Sequence, residues 1–251
     1  SAVDAAVATA FALAVVDPSQ TGLGAGGGMS VWQHGTRRAD ALDFYARSGA
    51  DSAWARSDSG ATRPDSGRAR RPINGRSAGI PGAVAGLLEA HSKWGKLTRA
   101  QVLAPDIALA RDGFLVSPLL ARTTESSRAK LSADSAAAAV FLPAGDSLRP
   151  GDRLVQLELA KTLEAIARDG RSAFYEGVLA ERAVAKMRSL GSPATVADFR
   201  NYPVASKRPL CTPWMGYTLL SAPPPLGGAT PLEALNLLAA SSAAALGSPT
   251  T

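Results

Sequence analysis

A glycine-rich stretch, residues 17–32, is where residue types and spacing first suggest chemistry, because five of its sixteen residues are glycine. Residues 22–27 match the dinucleotide-binding pattern G-x-G-x-x-G, in which a strand precedes the glycines and a helix follows them. Here the order is reversed, since residues 4–16 are an alanine-rich predicted helix and residues 29–33 are a predicted strand. The sequence therefore favours a tight helix-to-strand crossing in the core, with nucleotide binding as the less favoured alternative.

Residues suited to nucleophilic, redox or metal chemistry are few. The single cysteine, Cys211, excludes an internal disulfide bond and a cysteine metal cluster. His34 and His91 are far apart in sequence and lack the spacing of a metal-binding motif. We therefore expect neither a bound metal ion nor a cofactor.

The chain is basic, with a formal net charge of +6. Its dense run of basic residues comprises Arg63, Arg68, Arg70, Arg71 and Arg76. This run lies among Gly, Pro, Ser and Asp and has no interleaved aromatic residues, so it favours a solvated loop, with a docking surface as the alternative. Nucleic acid is not expected as a partner.

Helices and strands that could position a site are found along most of the chain. The principal predicted helices are residues 83–94, 98–112, 116–128, 156–169, 178–189 and 230–238, and the predicted strands are residues 29–33, 39–45 and 217–221. Residues 46–77 are expected to form a long flexible loop, and residues 239–251 a low-complexity tail. Without a convincing linker, residues 1–251 are predicted to form a single mixed α/β domain.

The ends and the hydropathy of the chain give two further expectations. No apolar run reaches the roughly 18 residues of a membrane-spanning helix, so no transmembrane segment is expected. No signal peptide is visible, and the chain begins inside a helix-like pattern, so we expect the natural N-terminus to lie upstream.

Five blocks of residues, spread over nearly the whole chain, resemble the large subunit of the γ-glutamyltransferase family and occur in the family's order. They are residues 3–7 with 17–18 and 22–27; 79–82 with 84–86; 103–105 with 110–114 and 116–118; 151–152 with 159–160, 173–175 and 177; and 198–199 with 202, 216–217 and 221–228. The chain is identified as a member of that family on these blocks.

The resemblance implies an N-terminal-nucleophile hydrolase, a four-layer αββα sandwich of two chains cut from one precursor. This chain would be a partial, helix-rich large-subunit part of that fold. The family transfers or hydrolyses γ-glutamyl groups through a threonine at the new N-terminus of the small subunit, whose free α-amine can act as the base. The resemblance therefore implies no catalytic residue in this chain, a second protein chain as partner, and a periplasmic or extracellular location.

Two departures from the family's pattern concern substrate binding. The family places an Arg-Glu pair directly after the Leu-Asp-aromatic of its second strand, and that arginine holds the substrate's α-carboxylate. Here Tyr45 and Ala46 directly follow residues 42–44. Arg47 is therefore two residues beyond the position of the family's arginine, a shift of roughly 6–7 Å along a strand. Arg47 and its neighbour Asp43 are the candidate substrate-binding residues; a surface role for Arg47 is the alternative. The family's Pro-Pro-Pro-Ser-Ser-Gly-Gly becomes residues 223–228, which lack both serines.

Two hypotheses remain open at this stage. In the first, the chain is part of a γ-glutamyltransferase-like heterodimer whose nucleophile is on a separate small subunit, so that this chain alone is not catalytically competent. In the second, it is a non-catalytic structural or accessory subunit docked with unrelated subunits in a larger assembly. The displaced arginine, the missing serines and the truncated end favour the second hypothesis.

Overall fold

The computed structural model describes residues 1–50, 75 and 78–240. The strands are β1 (Gly27–Gln33), β2 (Arg38–Phe44), β3 (Phe114–Leu115), β4 (Arg153–Leu154), β5 (Ala205–Lys207), β6 (Leu210–Trp214) and β7 (Tyr217–Ser221). The helices are α1 (Ala2–Val16), α2 (Ala83–Trp94), α3 (Arg99–Asp112), α4 (Pro118–Ser126), α5 (Arg128–Ser132), α6 (Ser135–Phe141), α7 (Leu157–Asp169), α8 (Arg171–Tyr175), α9 (Gly177–Ser189), α10 (Val196–Arg200) and α11 (Ala229–Ala240). In these parts of the chain, no helix combines the length and the apolar character needed to cross a bilayer.

A three-stranded antiparallel sheet in the order β1-β2-β5 carries the candidate site residue Asp43. Because side chains alternate between the two faces of a strand, Leu42 and Phe44 lie on one face of β2 and Asp43 on the other. Phe44 packs closely on α2, where a Cβ added to Gly86 would lie 2.0 Å from its ring. The face that carries Asp43 is therefore the one directed away from α2.

Helices α1, α2, α3 and α7 enclose the main hydrophobic core against the Phe44 face of the sheet. Fully buried members of this core include Phe11, Leu103, Leu163 and Ile166. Helix α3 begins with a capping box, in which the Thr98 hydroxyl accepts from the Gln101 amide and the Gln101 side chain accepts from the Thr98 amide. The predicted helix start at Thr98 is confirmed.

The glycine-rich stretch is a crowded backbone crossing between α1 and β1. A Cβ on Gly26 would lie 2.2 Å from the backbone nitrogen of Ala46, so only glycine fits there. Just beside it, the amides of Gly82 and Ala83 donate to the Ala25 carbonyl at 3.0 and 2.9 Å. The stretch connects a helix to a strand and packs on the chain's own backbone, as the favoured interpretation predicts, and it lacks the strand-to-helix order of a nucleotide site.

Several predicted elements differ from the structure. The single helix expected over residues 116–128 is wrong, because Ser117 caps α4 and Ser127, with ψ near 4°, separates α4 from α5. The sequence pattern did not predict strands β5 and β6. Strand β5 has three residues, and β6 contains Pro213, a residue that is uncommon inside strands.

The predicted loop over residues 46–77 is described only at its two ends. Arg47 pairs with Ile80 through both backbone groups, and the Gly75 amide donates to the Leu190 carbonyl at 2.8 Å. Residues 51–74 and 76–77, with the whole arginine run, lie outside the described residues, as do residues 241–251 of the predicted tail.

Tyr175 at the end of α8 fastens the first turn of α2. Its fully buried hydroxyl donates to the Pro81 carbonyl at 2.8 Å and accepts from the Ala85 amide at 3.1 Å. The Arg171 guanidinium carbon lies 4.5 Å from the centre of its ring. Burial raises the pKa of Tyr175, so its hydroxyl stays protonated and keeps both hydrogen bonds at physiological pH.

Asp106 on α3 is a buried carboxyl group, 1% exposed, and one of its oxygens has no hydrogen-bond partner among the described residues. Burial raises its pKa to about 7, because the charged form loses hydration that no cation replaces. Between about pH 4 and pH 7, Asp106 is therefore mostly protonated in the folded protein and mostly ionised in the unfolded chain.

We expect Tyr175→Phe to lower the free energy of unfolding by about 1–3 kcal/mol, because the Pro81 carbonyl and the Ala85 amide are left buried without a partner. Chemical denaturation followed by circular dichroism measures this change. An unchanged midpoint would show that water or a neighbouring group replaces the hydroxyl.

We expect the free energy of unfolding to fall as the pH rises from about 4 to about 7, by on the order of 2–4 kcal/mol through Asp106. The sign follows because the folded state binds the Asp106 proton more tightly than the unfolded chain, which has already lost it above pH 4. The Asp106→Ala variant lacks this pH-dependent contribution to the free energy of unfolding. The smaller side chain also changes the stability, but by the same amount at every pH. Denaturation curves of both proteins between pH 4 and 8 test this, and parallel pH profiles would contradict it.

Candidate functional site

Arg47 lies just beyond the end of β2. The Tyr45 amide, in the first residue after the strand, donates to Asp43 Oδ1 at 3.0 Å. The Arg47 amide then donates to the Ile80 carbonyl at 3.1 Å, and the Ile80 amide donates to the Arg47 carbonyl at 2.7 Å. The Arg47 side chain also contacts Asp43, with Nη2 3.3 Å from Oδ2. The two candidate binding residues are therefore in contact.

Asp43 is the anchor of this arrangement, and its side chain is only 2% exposed. Besides the Tyr45 amide and Arg47, its carboxylate receives the Lys207 ammonium, with Nζ 2.8 Å from Oδ2. Burial by itself raises the pKa of Asp43, but the hydrogen bonds from Lys207 and Tyr45 and the charges of Lys207 and Arg47 outweigh it and hold the pKa below its ordinary value. Asp43 is thus ionised, and its contacts suit it to hold two cations in place.

Lys207 connects the site to the corner formed by residues 223–228. Its ammonium also donates to the Pro224 carbonyl at 2.6 Å. In the same corner, Leu226 lies over β1, where a Cβ on Gly28 would lie 2.1 Å from its Cδ1 atom. The proline-rich corner therefore covers the Asp43 side of the sheet, and it does so with an apolar residue where the family pattern has serine.

Arg47 retains hydrogen-bonding capacity. Its side chain is 37% exposed, and its Nε is buried with no acceptor among the described residues. The guanidinium carbon lies 6.0 Å from the ring centre of Tyr202, within reach of a cation–π interaction. The guanidinium is therefore in contact with Asp43 and Tyr202, and the exposed part of the side chain can meet a further anion.

A cavity of about 700 Å³ lies beside Arg47. Its lining consists of Arg47, Ser48, Gly49, Ala50, Ile80, Thr195, Ala197, Asp198, Asn201, Tyr202 and Pro203. The Asp198 carboxylate on its wall already accepts from the Ala50 amide at 2.8 Å and from the Thr195 hydroxyl at 2.7 Å. Of the two charged side chains among these residues, Arg47 is the one whose charge suits a carboxylate.

The other candidate residues lie elsewhere. His91 donates from Nε2 to the Leu97 carbonyl at 3.0 Å, His34 is in the exposed turn after β1, and Cys211 is an exposed residue of β6. Within residues 1–50, 75 and 78–240, no three His, Cys, Asp or Glu side chains are grouped as a metal site would need. Sequence analysis missed Lys207, because three residues are too few to show the alternation of a strand.

A family model described as Gamma-glutamyltranspeptidase matches residues 1–250. The chain is 36% identical over 241 residues to a glutathione hydrolase proenzyme of Bacillus subtilis (strain 168), covering 95% of this chain and 40% of that protein. It is also 33% identical over 252 residues to the acylase ACY 1 proenzyme of Pseudomonas sp. (strain V22), covering 98% of this chain and 45% of that protein. The chain thus spans less than half the length of these relatives.

The crystal structure of Helicobacter pylori gamma-glutamyltranspeptidase superposes on this chain with a TM-score of 0.86 at 31% identity, covering 100% of this chain and 72% of that chain. The expected fold class is confirmed, since the similar solved structures are N-terminal-nucleophile hydrolases and the described residues form a helix-rich α+β arrangement. The matched residues, the shared sequence and the shared fold agree, and the chain belongs to the gamma-glutamyltranspeptidase family.

Proposed function

We propose that this chain is the large-subunit part of a two-chain enzyme that transfers or hydrolyses γ-glutamyl groups, and that Arg47 binds the α-carboxylate of the substrate. The observation that carries the proposal is the contact between Arg47 and buried Asp43 at the edge of the cavity. Although the arginine is displaced by two residues in sequence, this contact holds its guanidinium beside Asp43 of the sheet and next to the cavity.

In this proposal the reacting groups are on the second chain. The hydroxyl of its N-terminal threonine attacks the γ-carbonyl carbon, its proton passes to the threonine's own α-amine, and that amine then protonates the leaving nitrogen. A γ-glutamyl ester of the threonine forms as the leaving amine departs. Water or an acceptor amine then attacks the ester carbonyl, takes the γ-glutamyl group and restores the threonine hydroxyl. Arg47 contributes by fixing the far end of the substrate with two parallel hydrogen bonds to its carboxylate.

The charges around Asp43 suit this role. Arg47 and Lys207 together carry two positive charges against one negative charge on Asp43, so the cluster has a net charge of +1 before substrate binds. A substrate carboxylate would neutralise it. Relatives named glutathione hydrolase act on a compound of this class, which supports a γ-glutamyl substrate for this chain.

The proposed enzyme has a second subunit from the same precursor and works in the periplasm or outside the cell. Relatives that are named proenzymes support the first part of this statement. We propose no cofactor, because the reaction needs only the threonine, its amine and the carboxylate-binding residues.

The alternative, a non-catalytic accessory subunit, is favoured by one observation. Met215 and Tyr217 on the β6–β7 hairpin are 82% and 74% exposed, and Leu237 on α11 is 63% exposed, within the described residues. An apolar surface of this kind suits protein–protein contact. The same surface would also serve contact with a small subunit, so it does not outweigh the Arg47 site.

We expect Arg47→Ala, made in the full precursor, to lower kcat/KM for a γ-glutamyl anilide by about 100-fold, mainly through KM, because a bidentate charge-assisted contact to the substrate is lost. The kcat/KM of Arg47→Lys should lie between those of the parent and of Arg47→Ala, since lysine keeps the positive charge and loses the paired hydrogen bonds. Steady-state assays of the purified complex, with N-terminal sequencing of its companion chain, make the measurement.

Arg38→Ala is the matched control, because Arg38 is 72% exposed and pairs with Asp40 at the surface. It should leave kcat/KM within about twofold of the parent. A parent complex without turnover, or companions of which none begins with threonine, would overturn the proposed function and leave the accessory role. An active parent with an unaffected Arg47→Ala variant would remove Arg47 from the binding site.

A further inference from the structure

Tyr202 lies between α10 and β5 and contacts the segment that carries Arg47. Its hydroxyl donates to the Tyr45 carbonyl at 2.7 Å, two residues before Arg47. Its ring lies beside the Arg47 guanidinium, with 6.0 Å between the guanidinium carbon and the ring centre. One side chain therefore contacts both the backbone that leads to Arg47 and the charged end of Arg47 itself.

The position of Tyr202 is itself tightly determined. The residue is 4% exposed, and its ring stacks on that of Tyr175, with centres 5.9 Å apart and planes inclined by 23°. Its carbonyl accepts from Arg171 Nη2 at 2.6 Å. Space for the hydroxyl exists because residue 82 is glycine, since a Cβ there would lie 2.1 Å from the Tyr202 oxygen. Because three contacts fix the Tyr202 side chain, it can in turn restrict the position of Arg47.

The hydrogen bond to Tyr45 is maintained over the physiological pH range. Burial raises the pKa of Tyr202, although the nearby Arg47 opposes the rise. The hydroxyl therefore stays protonated and donates to the carbonyl, which can only accept.

We infer that Tyr202 is a positioning residue, which holds the Tyr45–Arg47 segment and the face of the guanidinium so that Arg47 meets a substrate carboxylate in bidentate geometry. Among the described residues, Asp43 contacts Arg47 at Nη2 alone, and a single contact at 3.3 Å restrains the plane of the guanidinium weakly. Tyr202 supplies a second restraint, on the ring face and on the backbone. This inference rests on the proposed role of Arg47 and adds a residue from a segment more than 150 positions away.

The test is Tyr202→Phe in the full precursor, which removes the hydroxyl and keeps the ring next to Arg47. We expect KM for a γ-glutamyl anilide to rise about fivefold, the factor that one hydrogen bond of ordinary strength represents, while kcat stays within about twofold. Tyr202→Leu, which also removes the aromatic face, should raise KM further.

Gln156→Leu separates positioning from stability. Gln156 is buried and its side chain donates to the Val15 carbonyl at 2.8 Å, and neither residue lines the cavity beside Arg47. The variant should lower the unfolding midpoint at unchanged KM, whereas Tyr202→Phe should raise KM. If both variants raise KM to the same degree, the effect is a general loss of stability and the inference fails.

A double-mutant cycle with Arg47 completes the test. If Tyr202 acts through Arg47, Tyr202→Phe should have no further effect on KM in the Arg47→Ala background. Equal effects in both backgrounds would overturn the inference while leaving the proposed function intact. An active complex in which Arg47→Ala does not change KM would contradict the proposed function itself, so the two failures are distinguishable.

Discussion

The buried carboxylate of Asp43 is the contact on which the candidate site depends. It joins the segment directly after β2, which carries Arg47, to Lys207 of β5, a distant part of the sequence. Through Lys207 it also connects to the proline-rich corner at Pro224. Since a buried carboxylate without partners is costly, folding brings these cations to Asp43 and fixes the geometry of the cavity wall.

The packing of β2 on the helices determines which side of the sheet carries Asp43. Phe44 packs against Gly86 of α2, which fixes the facing of β2 and so directs Asp43 to the opposite side of the sheet. Helix α2 is in turn fastened by Tyr175, whose ring stacks on Tyr202, and Tyr202 contacts the Arg47 segment. A continuous set of packed groups thus runs from the core to the candidate binding residue.

Local signals made part of this structure predictable from sequence. The glycine crossing, the β1–β2 hairpin and the capping box at Thr98 are each encoded within a few residues, and the structure has all three. Strand β5 and the contact of Lys207 with Asp43 were not predictable, because they join segments some 160 residues apart, and a three-residue strand shows no periodicity. The contact of Arg47 with Asp43 is local, but a side-chain contact beyond the end of a strand has no sequence pattern of its own.

The same contacts bear on whether the site binds a substrate carboxylate. A buried carboxylate with two cations gives little net stability, because the attraction among the charges is offset by the loss of their hydration. Stability alone is therefore a weak physical reason for this cluster. Carboxylate binding, in contrast, needs a cation that is restrained by the fold and still accessible, and Arg47 contacts buried Asp43 while its side chain stays 37% exposed. The balance of charge and burial at Asp43 thus supports the proposed binding role.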